Sequence, residues 1–231
     1  MISIFLPIRK NSKRIKNKNI RSLGKYKFGL TELKILQLHK LLIKLKIKNQ
    51  KFFQVKEVVV STDNNKVKKF LKKFSWIKIH DRPRHLAKDD CLDDLIKEIP
   101  KICSGKYILW THVTSPFFNE LDYYNFLKEY FKVKKKFSSA FSADVKSKFL
   151  LNHKHKWISH DYNKKKWPRT QDLEKIYEAN SAVFFSHIKN YLRNKDRLGR
   201  KPYPLISRKN YGFDVDAMDD FKIVKEILKN N

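Results

Sequence analysis

The feature that most constrains this chain is a repeated alternation. Short β-branched or apolar runs are followed by a polar turn and then by a segment with helical spacing. Ile2–Ile8 reads as a buried strand, and "GLTELKILQLHKLLIKLKIK" as a helix with Thr31 as its expected cap. "VKEVVVSTD" reads as a second buried strand, followed by the lysine-faced helix "NNKVKKFLKKF". "WIKIH", "KYILWTHVTSP" and "FSSAFSADV" supply further strands, and "CLDDLIKEIPKIC" and "YYNFLKEYFKVKK" the helices between them. Later, "NSAVFF" reads as a strand and "YGFDVDAMDDFKIVKEIL" as a turn into a last helix. Strand–helix alternation of this kind predicts an α/β fold, Rossmann-like, with a mostly parallel sheet and helices on both faces. The 231 residues suffice for one such domain with its own core.

Residues 146–172 break the rhythm. "KFLLNHKHKWISHDYNKKKWPRTQD" mixes aromatics, histidines and lysines without a period. An irregular insert of that length in a compact domain is expected to serve function or an interface. The reading is thus one domain over 1–231 that carries an insert at 146–172.

In parallel sheets ligands bind beyond the carboxyl ends of the strands. The polar exits are therefore the places to look: "RKNSKRIKNKN", "STDNN", "RPRHLAKDD" and "THVTSP". The first of these lacks the glycines of a Walker loop or a dinucleotide fingerprint but is rich in charge. Arg9, Lys13 and Lys18 can neutralise phosphates, and Asn11, Ser12 and Asn19 add neutral donors. A solvated basic loop is the competing reading. Near the other end, "FDVDAMDD" puts Asp214 and Asp216 two apart, so an extended backbone turns both to one side, where they suit Mg²⁺. The alternative is a capping cluster ahead of the last helix, with Asp219 and Asp220 in its first turn. Likewise Ser61–Asp63 reads equally as a helix cap, and Arg82, Asp89 and Asp93 as surface charges. His153 and His155 have the only pairwise histidine spacing and read as surface residues.

The net charge of +30 raises nucleic acid as a partner. The cations are spread along the whole chain, and only 10 of the 53 are arginine. Base-reading surfaces rely on arginine forks, so nucleic-acid binding is not the expected function. Cys91 and Cys103 have no metal-ligand or redox spacing and suit a reducing compartment, with a cytoplasmic location expected. The opening "MISIFLPIRK" does not read as a leader, and no apolar run is long enough to span a membrane.

Taken in order, these loops resemble the N-acylneuraminate cytidylyltransferases over almost the whole chain, Ile2 to Leu228. "PIRKNSKRIKNKNIR" is similar to the family's opening pattern at Pro7, Arg9, Ser12, Lys13, Lys18, Asn19 and Arg21. "VSTD" at 60–63, "RPRHLAKD" at 82–89, "VTSP" at 113–116, "RTQDLEKIYEANSA" at 169–182 and "DVD" at 214–216 follow in the family's order. The resemblance implies that CTP lies over the first loop and that the anomeric hydroxyl of a nonulosonic acid attacks its α-phosphate, with pyrophosphate leaving. It implies Arg9, Ser12 and Lys18 on the triphosphate, with Arg9, Lys18 and Asp216 catalytic. It implies Lys13, Asn19, Arg82, Asp89, Cys91 and Asp93 around the nucleotide, and Mg²⁺ on Asp214 and Asp216. Asp93 is the expected acceptor for the cytosine amino group. His112, Thr114, Ser115, Arg169, Gln171 and Asn180 are expected on the acceptor sugar. The insert is expected to build a homodimer.

The departures lie mainly on the sugar side: His112 for the usual Gln, Val113 for Pro, Ser181 for Gly, and "KSKF" where a histidine pair is usual. Arg14 stands where the family often has Gly, so the first loop is expected either to avoid positive φ there or to tolerate strain. A degenerate sugar-nucleotide binder without turnover is the second reading, and a basic nucleic-acid binder the third.

Overall fold

The computed structural model describes residues 1–10, 12–48, 53–88, 91–208 and 212–229. The strands are β1 (Ile2–Ile8), β2 (Val55–Thr62), β3 (Ile77–Asp81), β4 (Tyr107–Thr111), β5 (Ser139–Lys146), β6 (Ile176–His187) and β7 (Pro202–Ile206). The α-helices are α1 (Gly29–Ile47), α2 (Asn65–Leu71), α3 (Leu92–Ile102), α4 (Glu120–Val133), α5 (Ile188–Arg193) and α6 (Met218–Lys229). All seven strands form one sheet in the order β3-β2-β1-β4-β6-β5-β7. β1 runs parallel to β2 and β4, β2 to β3, and β5 to β7. β6 alone is reversed, antiparallel to β4 and β5.

The central strands are apolar on both faces, as a doubly covered sheet requires. Ile4, Leu6 and Ile8 of β1 pack with α1, α2, α4 and α6 in the larger core. Phe5, Val59, Ile108, Trp110 and Phe184 turn the other way, onto α3 and Tyr191 of α5. Helices therefore lie on both faces.

Several local expectations shift. α1 begins where expected, but Thr31 does not cap it. The Glu32 carboxylate accepts from the Phe28 N–H at 2.7 Å, while the buried Thr31 hydroxyl donates to the Asn19 carbonyl at 2.7 Å and ties the first loop to the helix. Asn64, not Ser61–Asp63, caps α2, accepting from Lys66 N–H. β3 starts after Trp76, and β6 begins four residues before "NSAVFF". α5 and β7 have no counterpart in the sequence reading. Arg14 avoids positive φ; among the described residues of the first loop Asn17 is left-handed, with φ 57°.

The insert is irregular, as expected. Its rings cluster: Phe149 lies 6.1 Å from Trp157 and 5.2 Å from Trp167, with His160 5.4 Å away. Trp167 is nonetheless 63% exposed, with Leu151 and Ile158 also on the surface. His153 and His155 are exposed too.

Candidate functional site

Parallel β1 and β4 deliver their polar exits to one edge of the sheet, and Arg82 follows β3 at the same edge. A cleft of about 590 Å³ opens there, walled by Arg9, Ser12, Lys13, Lys18 and Asn19 of the first loop and by Arg82, Cys91, His112, Thr114 and Asp216. A groove of about 920 Å³ adjoins it and shares Arg9, Lys13, Arg82 and Lys88, adding Lys10, Lys68 and Arg84. Cations dominate both walls, so the edge is built for an anion.

The two ends of the chain meet at Lys18. Its ammonium donates to the Val215 carbonyl at 2.6 Å and lies 3.7 Å from Asp216 Oδ1. Arg14 reaches the other oxygen of Asp216 at 3.2 Å. Burial lowers the Lys18 pKa, and Asp216 and then Asp214 counter that. The Asp216 and Ala217 N–H groups both donate to Asp220 Oδ2, at 2.9 and 2.6 Å, so Asp220 fixes the entry to α6. Asp220 thus caps, as the second reading of this acidic stretch expects, while Asp216 faces the cleft.

Asp214 is different. Burial raises its pKa, opposed by a hydrogen bond from the Thr114 side chain, and the Asp216 charge raises it further. Its Oδ1 is buried without a hydrogen-bond partner. A buried carboxylate oxygen without a hydrogen bond is stabilised by a proton or by a cation. No group of three or more His, Cys, Asp or Glu gathers among the described residues. The donor set is therefore two carboxylates, which suits a hard cation completed by water and phosphate oxygens.

Arg82 is buried and already directed. Its Nε donates to Ser61 Oγ at 3.0 Å and its Nη2 to the Ser61 carbonyl at 2.7 Å, and burial lowers its pKa to about 10. Asn19 Nδ2 donates to the Arg9 carbonyl at 3.1 Å and so shapes the first loop. The Cys91 sulfur lies 2.8 Å from both the Leu86 and Lys88 carbonyl oxygens, which share its one thiol proton. Asp63 accepts from the Lys10 N–H at 2.7 Å.

Other expected residues lie elsewhere. Asp93 is exposed in the first turn of α3 and does not line the cleft, because Leu92 and Leu95 take the wall positions of that helix. Ser115 is fully buried behind the β4 exit, its carbonyl held by Lys34. Arg169 and Gln171 are exposed on a 3₁₀ turn, where Arg169 pairs with Asp172 at 2.9 Å. Asn180 is committed within the fold: its Nδ2 donates to Asp144 and to Ser207 Oγ at 2.8 Å, and its Oδ1 accepts from Ala182 N–H. Ser181 beside it sits at φ 61°, the left-handed region where glycine is at ease. Asn11 and Asp89 lie outside the described residues.

The sequence reading missed three supports. Lys34 of α1 is fully buried and donates to the Ser115 and Phe118 carbonyls and the Tyr123 hydroxyl, each at 2.9 Å. Gln37 adds a bond to the Pro116 carbonyl at 2.6 Å. Together they strap the loop carrying Thr114 to α1. The signal was present: Lys34 falls on the stripe Leu30, Leu38, Leu41, Leu45 of the same helix. Arg208 grips Asp122 through two bonds, at 2.7 and 2.9 Å, and so joins the segment after β7 to α4. Trp110 beneath the cleft is the third.

Known proteins share this frame. The structure of CMP:2-keto-3-deoxy-manno-octonic acid synthetase in complex with CTP aligns with 99% of this chain and 98% of its own, at TM-score 0.62 and 13% identity. The 4-diphosphocytidyl-2C-methyl-D-erythritol synthase of Anaerococcus prevotii aligns equally far, at TM-score 0.62 and 11% identity. Identities this low establish the fold alone. In sequence, an N-acylneuraminate cytidylyltransferase of Streptococcus agalactiae (strain NEM316) is 40% identical over 53 residues. That match spans 23% of this chain and only 13% of the relative's length. No described helix is long and apolar enough to cross a membrane. The sequence model of the family described as Cytidylyltransferase matches residues 3–202, from β1 through β6 and with them the cationic first loop and the β4 exit, and the chain belongs to that family.

Proposed function

We propose that this chain is a CTP-dependent cytidylyltransferase that transfers CMP to the anomeric hydroxyl of a nonulosonic, sialic-acid-like sugar and releases pyrophosphate. The observation that carries the reading is the contact of Lys18 with Val215 and Asp216, which sets the phosphate-binding loop against an acidic pair across one cleft. The short, 40% identical match to N-acylneuraminate cytidylyltransferases favours the sugar class.

The reaction asks the protein for position and charge, not for a covalent intermediate. Arg9, Ser12 and Lys18 hold the triphosphate, with Lys13 beside them. Lys18, fixed by the Val215 carbonyl, neutralises charge as pyrophosphate departs. Arg82, already braced by Ser61, faces the nucleotide with Asn19 and Cys91. Asp214 and Asp216 would hold Mg²⁺, and the unpartnered Oδ1 of Asp214 is the atom that fits it. When bound, the cation neutralises phosphate charge and lowers the pKa of the attacking hydroxyl. His112 and Thr114 face the acceptor. Arg169 and Gln171 do not line the cleft, so they would serve an acceptor bound to a second copy, in a homodimer formed through the insert, whose exposed Leu151, Ile158 and Trp167 would be covered there. The reducing cytoplasm fits its two free cysteines.

Pyrophosphate release is the test, with CTP, Mg²⁺ and a panel of nonulosonic and other acidic 2-keto sugars. Turnover with one of these sugars and no other nucleotide supports the proposal. Cytidine-nucleotide binding without turnover on any sugar would mark a degenerate binder, and salt-sensitive duplex binding alone would overturn the reading altogether.

A further inference from the structure

We propose that Trp110 is a positioning residue that holds His112 as a neutral imidazole protonated on Nδ1, so that the cleft wall presents one fixed N–H donor to an oxygen of the acceptor sugar. The sugar part rests on the function proposed above; the tautomer does not.

Trp110 lies on β4, and His112 directly follows that strand. Residues two apart on a strand share a face, so Trp110 and His112 point to the same side of the sheet. The Trp110 indole Nε1 lies 3.0 Å from His112 Nε2. An indole nitrogen can only donate. His112 Nε2 must therefore carry its lone pair, and a neutral ring then holds its proton on Nδ1. No described group hydrogen-bonds Nδ1, and His112 lines the cleft beside Val113 and Thr114.

The donor that sets this tautomer is itself immobilised. Trp110 is 1% exposed. The Phe5 ring meets it edge-on at 4.7 Å, and the Arg197 guanidinium lies 5.7 Å from its centroid while stacking at 3.6 Å on Phe184. A charged His112 would set two N–H groups against each other at Nε2. It would also add a cation to a neighbourhood that holds Arg197, Lys34, Lys18 and Arg82. Burial first, and then those four charges in that order, push its pKa down to about 3. Arg197 comes from the segment after α5, Lys34 from α1, Lys18 from the first loop and Arg82 from the exit of β3. All four are cations that disfavour protonation of the ring.

The consequence is chemical selectivity. An amide side chain in this place would offer a donor and an acceptor together. His112 in one tautomer offers a donor only and carries no charge at neutral pH, so it neither attracts a carboxylate as an ion nor removes a proton. It selects a sugar that turns a hydroxyl, amide carbonyl or carboxylate oxygen to this wall, and discriminates against one that turns a donor there.

Nitrogen-15 NMR of the whole chain, labelled at histidine and free of substrate, reads the tautomer directly. The expected result is a pyrrole-type Nδ1 and a pyridine-type Nε2 at His112, unchanged from pH 5 to 8. An Nε2-protonated ring, or titration in that range, overturns the proposal even if the protein is a cytidylyltransferase. Trp110→Phe keeps a ring but removes the donor. It should mix the two tautomers and raise the acceptor sugar's KM about tenfold, the scale of one hydrogen bond, while the KM for CTP stays within twofold. An unchanged tautomer in Trp110→Phe would remove the positioning role. A correct tautomer combined with an unaltered sugar KM in His112→Leu would remove the donor role, and neither result bears on whether CMP is transferred.

Discussion

Replacing Lys34 with methionine should cost more stability the higher the pH. The ammonium is fully buried, and burial lowers its pKa to about 7. In the unfolded chain a lysine titrates near 10.4. Between the two values the unfolded state binds more protons than the folded one, so the stability of the natural protein climbs with pH, by at most 1.36 kcal/mol per unit. Below pH 7 both states are protonated and the climb stops. Methionine binds no proton and lacks this climb altogether. Integrating the lysine term from pH 6 to 9 gives about 2.5 kcal/mol, with most of it above pH 7. A second cost is independent of pH: the Ser115 and Phe118 carbonyls lose their donor, at about 1–3 kcal/mol each. At pH 6, relief of the buried charge offsets much of that. The variant is therefore expected near natural stability at pH 6 and about 2.5 kcal/mol worse, relative to that point, at pH 9. Urea unfolding of both proteins at pH 6, 7, 8 and 9 measures it. Taking the difference cancels other groups that titrate in this range, such as the Cys103 thiol, which burial pushes up to about 12. With a slope of about 2–3 kcal/mol per molar urea, the gap between the midpoints should widen by about 1 M. A gap that stays constant or narrows as pH rises would refute the argument, because it would mean that Lys34 is not held against burial.

Other outcomes follow from the same geometry. Asp216→Asn should lower turnover at least a hundredfold while leaving the melting temperature within a degree or two, since the side chain is 53% exposed, its Arg14 partner is a surface cation and the half-buried Lys18 keeps its bond to the Val215 carbonyl; full activity would remove its metal role. Asp214→Asn removes a carboxylate whose pKa burial raises, so the folded state holds the proton more tightly and its charge destabilises the protein as pH rises through that window. The metal-free variant should melt higher than the natural protein at pH 7, and any Mg²⁺-dependent rise seen by differential scanning fluorimetry should vanish; an undiminished Mg²⁺ response would exclude Asp214 as a ligand. Ser181→Gly should stabilise the protein by up to about 1 kcal/mol by relieving the left-handed backbone, read as a shift of a few degrees in melting temperature.

Much of this molecule is written locally. The period of two or of 3.6 in each apolar run is a property of a few neighbouring residues, so β1, α1, β2 and α3 are legible in the sequence within a residue or two and α4 within three, and the α/β class follows. The cationic first loop and the Asp214–Asp216 pair are legible for the same reason, as compact motifs with known chemistry. The competing readings of each could not be separated there, because a basic loop and a phosphate cradle differ only in what stands opposite. Lys18 meets Val215 across 197 positions of chain, and no spacing rule reaches that far.

Tertiary structure decided the rest through long-range pairing and burial. β6 runs against its neighbours because it enters the sheet between β4 and β5, a placement that its own residues do not encode. Arg169, Gln171, Ser115 and Asn180 have site-like identities, but packing sends them to the surface or into the fold. The partners of Lys34 and Trp110 appear only when the fold puts three acceptors around the first and sets the indole N–H of the second 3.0 Å from His112 Nε2. Sequence alone determined which side chains could bind an anion. Only the assembled sheet, with β1 and β4 parallel and their exits at one edge, determined which of them share a cleft.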